Sequence, residues 1–234
     1  EEEGQVPFPC FGTTTWNVLS MSEHSNNNNR RDIMAEQVVK LAHAYPNSIL
    51  HMQETKLTGS GQRRIKKLLK GWAVFCSHGS HRSGGVLTAI PPSILRDYMP
   101  QQQELDATLT GHGLAIALQP KPSAGHTHTA LAMNAYFYTG PGKFSRQVEM
   151  MKAFVKLPAA DYNFLAGDFN FTFSPTDTTG IGGASKRTAD HLEAWEGLLA
   201  HFRLKEERQD VHTWYHITKD VAQAQSALLD RVFS

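Results

Sequence analysis

Cysteine is nearly missing from this chain: its 234 residues hold two, Cys10 and Cys76. Two thiols make neither a disulfide framework nor a zinc cluster, and they lean toward a reducing compartment. Long apolar runs are missing too, and none approaches the roughly 18–20 residues that a membrane-crossing helix needs. Charge of one sign is not in excess. Lys and Arg number 23 against 22 Asp and Glu, for a formal net charge of +1. The chain is no polycation, so any nucleic-acid contact has to come from a local patch. No internal repeat and no linker-like stretch divides it. An initiator Met is absent, and the opening EEEGQVPFPCFG is neither signal peptide nor transit peptide. Residues 1–11 read as a tail, of a processed product or of a piece of something longer.

What is present is an alternation of textures. GTTTWNVLS (12–20) alternates and is rich in Thr, Trp and Val, as strands are. From Arg30 to Tyr45, Ile33, Val38, Leu41 and Tyr45 recur at helical spacing, ending before Pro46. SILHMQE is a strand, and GQRRIKKLLKG (61–71) a short basic helix with Ile65, Leu68 and Leu69 on one side. WAVFCS, SGGVLTAI, GLAIALQ and TALAMNAYFY are four further strand-like runs. SRQVEMMKAFVKL (145–157) returns to helical spacing, YNFLAG is a strand, and TADHLEAWEGLLAHF (188–202) is a helix with a Thr cap. VHTWYHI and SALLDRVFS close the chain as strands. This order predicts an α/β fold of two mixed sheets packed face to face with helices outside. NFLAG and LAIAL are apolar on both faces, as buried central strands are.

Polar residues gather at strand ends. Asn17 in TTTWNVLS, Glu54 in ILHMQETK, Asp168 and Asn170 in FLAGDFN, and Asp230 in ALLDRVF all lie at or just past the end of an apolar run. Each has an ordinary reading. Asn17 suits a strand-end hydrogen bond, GDFN an Asx-type turn, and Asp230 an ion pair with Arg231 or another cation. Together they suit a crevice whose oxygen ligands hold a hard cation such as Mg²⁺ or Ca²⁺. Such a cation with open positions serves phosphate-ester chemistry, beside a carboxylate that orients or deprotonates water.

TWNV, QETK, SGGV, AYFY, LAGDFN and LLDRVF, in that order, resemble the exonuclease–endonuclease–phosphatase superfamily across nearly the whole chain. GDFNFTFSPTD, running from GDFN into a Ser-Pro-Asp-type segment, and HTWYH are most similar to the endonuclease domain of non-LTR retrotransposons, a reverse transcriptase-associated nuclease. The resemblance implies a DNase-like four-layer α/β sandwich over residues 12–234, with Mg²⁺ or Mn²⁺ as cofactor and DNA as substrate. Asn17 and Glu54 would hold the metal, with Lys56 as a basic neighbour. Tyr136 would contact the scissile phosphate, Asp168 would orient or activate water, and Asn170 would hold the phosphate. Asp230 would brace a histidine. A retroelement endonuclease would work in the nucleus. An inositol-phosphate or phospholipid phosphoesterase of the same fold, and an inactive remnant or interaction module, are the other readings.

The chain departs from the pattern in three places. The histidine that Asp230 would brace lies, in the family, in a Ser-Asp-His segment one strand further on, whereas this sequence stops at Ser234. The reading is therefore of a domain truncated at its C-terminus, lacking its last strand and impaired in activity. After Tyr136 the sequence is FYTGPGKFS where the family has Pro and Asn, and Leu19 stands where some members have an acidic residue. His126 with His128, and His212 with His216, make weak zinc pairs without further ligands at suitable spacing. RRIKKLLK reads as the solvated face of its helix, and SHGSHRSGG as a loop offering Arg82.

Overall fold

The computed structural model describes residues 12–18, 28–79, 84–140, 142–172, 178–179, 187–207, 214–216, 225–227 and 230–234. Side chains are described for these except 28–35, 178–179, 214–216, 225–227 and 230. The tail 1–11, with Cys10, lies outside them, as do Leu19, Arg82 and His212.

One sheet holds β1 (Gly12–Asn17), β2 (Ser48–Gln53), β3 (Ala73–Ser77) and β4 (Val86–Ile90), in the order β1-β2-β4-β3. The other holds β5 (Tyr98–Gln102), β6 (Gly113–Pro120), β7 (Ala130–Tyr136), β8 (Tyr162–Asp168) and β12 (Asp230–Phe233), in the order β12-β8-β7-β6-β5. Both are mixed: β1 runs parallel to β2 and β7 parallel to β8, while the remaining neighbours are antiparallel. A short third ribbon joins β9 (Thr178–Thr179), β10 (Trp214–His216) and β11 (Gln225–Ala227). Helices α1 (Asn28–Ala44) and α2 (Gly59–Leu68) accompany the first sheet, and α4 (Lys143–Phe154) and α5 (Ala189–Phe202) the second. A single helical turn, α3 (Pro92–Leu95), precedes β5.

Three apolar layers explain the stack. Val38, Leu50, Met52, Ile65 and Leu87 fill the space between the first sheet and its helices. Ile49, Ile90, Leu114, Ile116 and Ala132 fill the gap between the sheets. Met133, Met150, Phe154, Phe169, Trp195 and Phe202 pack the second sheet against α4 and α5. Strand alternation sorts residues between layers. In β7, Ala130, Ala132 and Tyr136 face the gap, whereas Leu131, Met133 and Ala135 face the helices. Each large side chain so buried contributes about 1.5–3 kcal/mol. The basic face of α2 is solvated as expected, with Arg63, Lys66 and Lys67 exposed, but Leu68 is also exposed, and only Ile65 and Leu69 turn inward.

The gap also holds a polar network. Gln53 Nε2 donates to Asn134 Oδ1 at 2.7 Å, and Asn134 Nδ2 donates to Leu87 O at 2.8 Å and to Met52 O at 3.3 Å. Thr15 Oγ1 donates to Gln53 Oε1 at 3.2 Å. Buried carboxamides are tolerated because their partners are supplied from both sheets. His51 lies in the same layer, against Thr88 Oγ1 at 3.2 Å.

Burial lowers the pKa of His51 from 6.5 to about 3. The folded chain keeps this ring neutral, while the unfolded chain takes up a proton below its ordinary value. Stability is therefore lost as pH falls from about 6.5 toward 3. Replacing His51→Gln should flatten that acid limb by up to about 1.4 kcal/mol per pH unit, read from urea melts between roughly pH 6 and pH 4. A second test concerns Gly167, where a Cβ would lie 1.9 Å from Ala135 O of the neighbouring strand. That contact is with backbone, which cannot rotate away. Gly167→Ala should lower stability by about 3 kcal/mol or more, measured by chemical denaturation.

Candidate active site

The two parallel pairs set up the site. Parallel strands end at the same edge of their sheet, and β1 packs across β8 while β2 packs across β7. The C-terminal ends of all four strands thus meet at one mouth of the gap. Asn17 follows Thr15 at period two, Tyr136 follows Asn134, and Asp168 follows Phe164 and Ala166. Alternation turns all three into that gap.

Asn17 Nδ2 donates to Asp168 Oδ2 at 2.8 Å and to Glu54 Oε1 at 3.2 Å. The Tyr136 hydroxyl donates to the same Glu54 oxygen at 2.9 Å. Lys56 Nζ lies 3.5 Å from Glu54 Oε2. Four residues expected at the site and their basic neighbour are therefore together. Burial raises the Tyr136 pKa, and the negative charges of Glu54 and Asp168 raise it further. The phenol is held as a donor.

Asn170 completes a turn. Its backbone N–H donates to Asp168 Oδ1 at 3.0 Å, and its carboxamide donates to Phe137 O at 2.8 Å. GDFN is thus an Asx-type turn whose carboxylate also reaches across to Asn17. Glu54, Lys56 and Asn170 all have positive φ, 53°, 48° and 52°. For residues with a Cβ this region is costly, and such strain collects at functional sites. The Glu54–Lys56 turn is held by Thr55 N–H on Gly85 O at 2.9 Å and Lys56 N–H on Gly84 O at 3.1 Å. A Cβ on Gly85 would stand 2.7 Å from Thr55 Oγ1 and 2.9 Å from Lys56 N. The glycines of SGGV are what let this loop close onto the Glu54 turn.

Asp230 sits opposite Asp168 in the antiparallel β12–β8 register; its side chain lies outside the described residues. Arg231, next to it, pairs with Glu206. His126 and His128 line up with Tyr98 and Tyr162. Tyr162 begins β8 and Asp168 ends it, so this histidine pair is a strand's length from the site. The side chain of His216 lies outside the described residues. One residue was missed by the sequence reading. His112 donates from Nδ1 to Tyr136 O at 2.8 Å, and its ring stacks on Tyr136 and, at 4.0 Å between centroids, on Tyr138. A histidine between two glycines at the start of a strand was the signal available.

The donor set bears on a metal. Glu54, Asp168 and Asn17 offer carboxylate and carboxamide oxygens, which suit a hard divalent cation that keeps several of its waters. A carboxamide can present either end at such a position, N–H to carboxylates or oxygen to a cation. Among the described residues, no three His, Cys, Asp or Glu side chains come together as a metal cluster. The residues fit Mg²⁺ or Mn²⁺ and would fit a soft metal poorly.

A strand-end mouth lined by these oxygens, on two mixed sheets between helices, defines a DNase-like α/β protein. A profile of the Endonuclease/Exonuclease/phosphatase family matches residues 14–233, and the chain belongs to that family. A comparison with curated proteins finds no match. Solved structures share the fold. The AP endonuclease LMAP from Leishmania major superposes with a TM-score of 0.68 at 16% identity, covering 96% of this chain and 79% of that one. TDP2 from D. rerio, complexed with single-strand DNA product, gives 0.62 at 14%, covering 95% and 82%. The endonuclease domain of TRAS1, a telomere-specific non-LTR retrotransposon, gives 0.60 at 13%, covering 96% and 84%. At these identities the likeness is one of fold.

The electrostatic link between Glu54 and Tyr136 is open to direct measurement. Neutralising the carboxylate by Glu54→Gln should bring the Tyr136 ionisation down toward the ordinary phenol range, followed by NMR of ring-labelled tyrosine against pH.

Proposed function

We propose that this chain is a divalent-metal-dependent phosphodiester hydrolase acting on DNA, of the retroelement endonuclease type. The observation that carries the reading is the convergence of Glu54 and Asp168 on the single Asn17 carboxamide, with the Tyr136 hydroxyl on the same Glu54 oxygen. Glu54 and Asn17 would hold Mg²⁺ or Mn²⁺, which when bound polarises a phosphoryl oxygen and eases ionisation of water. Asp168, aimed by the Asn170 N–H and by Asn17, orients the attacking water and accepts its proton. Tyr136, kept protonated, offers its hydroxyl to a phosphate oxygen. Asn170 fixes the loop after β8 and flanks that phosphate. Lys56 adds a positive charge beside Glu54. Asp230, in register with Asp168, would brace an imidazole. The retroelement type rests on the run GDFNFTFSPTD and agrees with the shared fold of the TRAS1 domain.

Plasmid nicking tests the proposal, run on the 234-residue chain and on any longer product of the same reading frame. Supercoiled DNA should be nicked only with Mg²⁺ or Mn²⁺, and chelation should stop it. Glu54→Gln and Asp168→Asn should each slow the reaction by about 100-fold or more, with circular dichroism unchanged. Hydrolysis of inositol phosphates or phospholipids with DNA left intact would overturn the substrate. Failure to bind Mg²⁺ by calorimetry, together with no hydrolysis, would leave an interaction module.

A further inference from the structure

Helix α4 reaches the site through one buried side chain. Gln147 is fully buried, and its Nε2 donates to Tyr138 O at 2.7 Å and, more weakly, to Phe169 O at 3.5 Å. Tyr138 lies two residues past Tyr136, and Phe169 directly follows Asp168. The two bonds therefore span the backbone exits of β7 and β8, just where each delivers its side chain to the site. On the other end, Gln147 Oε1 lies 2.8 Å from His191 Nε2, on α5.

The donor accounting fixes every orientation. Two carbonyls face one end of the carboxamide, so that end is the nitrogen with its two N–H groups. The oxygen then faces His191, which has to present an N–H there. Burial, with the positive charges of Arg187 and Lys143, lowers the His191 pKa to about 4, so at neutral pH the ring carries one proton. That proton is on Nε2. Phe144 and Phe171 meet the ring edge-on at 4.9 and 4.7 Å between centroids, and hold its plane. The same loops are tied to each other by Phe137 N–H on Asp168 O at 2.8 Å and by Asn170 on Phe137 O. Lys143, one helical turn before Gln147, donates to Asn170 O at 3.1 Å.

We propose that Gln147 is the positioning residue of this site: it clasps the ends of β7 and β8 so that Tyr136 and Asp168 stay within reach of Glu54 and Asn17, and His191 sets which way its carboxamide faces. Nothing in Gln147 touches the reacting atoms, so its effect passes through the two loops. The kinetic half of the proposal rests on the hydrolase reading, while the positional half does not.

The test is Gln147→Met, which nearly keeps length and volume but removes both donors without burying a charge. Amide hydrogen exchange is the first readout. Phe137 and Asn170 should exchange about tenfold faster, while amides of β2 and β4 hold. Kinetics of supercoiled-plasmid nicking is the second. kcat should fall about tenfold or more with KM within about twofold, because the loss is of alignment and not of binding. His191→Leu, which leaves Gln147 in place without its orienting N–H, should move both readouts in the same direction by less. Wild-type exchange at Phe137 and Asn170 in Gln147→Met overturns the proposal, and so does faster exchange spread evenly over the chain. Faster local exchange in a chain that hydrolyses no phosphodiester upholds the clasp and rejects the hydrolase reading.

Discussion

Everything at the mouth of the gap depends on strand direction. Each sheet contains one parallel pair, β1 with β2 and β7 with β8, and parallel strands release their C-terminal ends on the same side. Packing the two pairs against each other brings four chain exits to one place. Had either pair been antiparallel, one of the polar ends would have opened at the far edge, where His128 and Tyr162 are found. Ligands in open α/β sheets settle at carboxyl ends for this same reason.

Polar groups at such a mouth have to be both ordered and exposed. The chain meets this by strain and by ties. Glu54, Lys56 and Asn170 take left-handed backbone at about 1–3 kcal/mol each. Hydrogen bonds accepted by the carbonyls of Gly84, Gly85 and Phe137 and by the Asp168 carboxylate hold these turns, and the aromatic packing of Phe137, Phe169, Phe171 and Trp195 sits directly behind them. In FLAGDFN, the turn and the candidate site are one object. Asp168 uses one oxygen to close the turn and the other to reach Asn17.

Much of this was legible in the sequence, because period-two alternation and polar residues at apolar run ends are local signals. β2, β6, β7 and β8 each carry a largely apolar run, and Thr188 caps α5 as its position implies, accepting from the His191 N–H at 3.2 Å. What escaped had no local signature. YMPQQ is polar and carries Pro100, yet it forms β5, since an edge strand can accommodate proline. His112 gained its place from tertiary stacking on Tyr136 and Tyr138. Gln147 looked like one more polar helix residue, and only the meeting of two loops above it makes it different. The helix predicted to run to Leu157 ends at Phe154, where the backbone tightens before Pro158.

The Gln53–Asn134 bond has a consequence for how the two sheets can move. Apolar faces tolerate sliding, because one methyl contact is readily exchanged for another. A carboxamide pair at 2.7 Å does not. One residue of slip along a strand is about 3.3 Å, enough to part Asn134 from Gln53 and from both backbone carbonyls of the facing sheet. The alignment of the sheets is therefore indexed, like teeth in a rack, with no intermediate setting of comparable energy. The four strand ends either meet in full register or do not meet as a site.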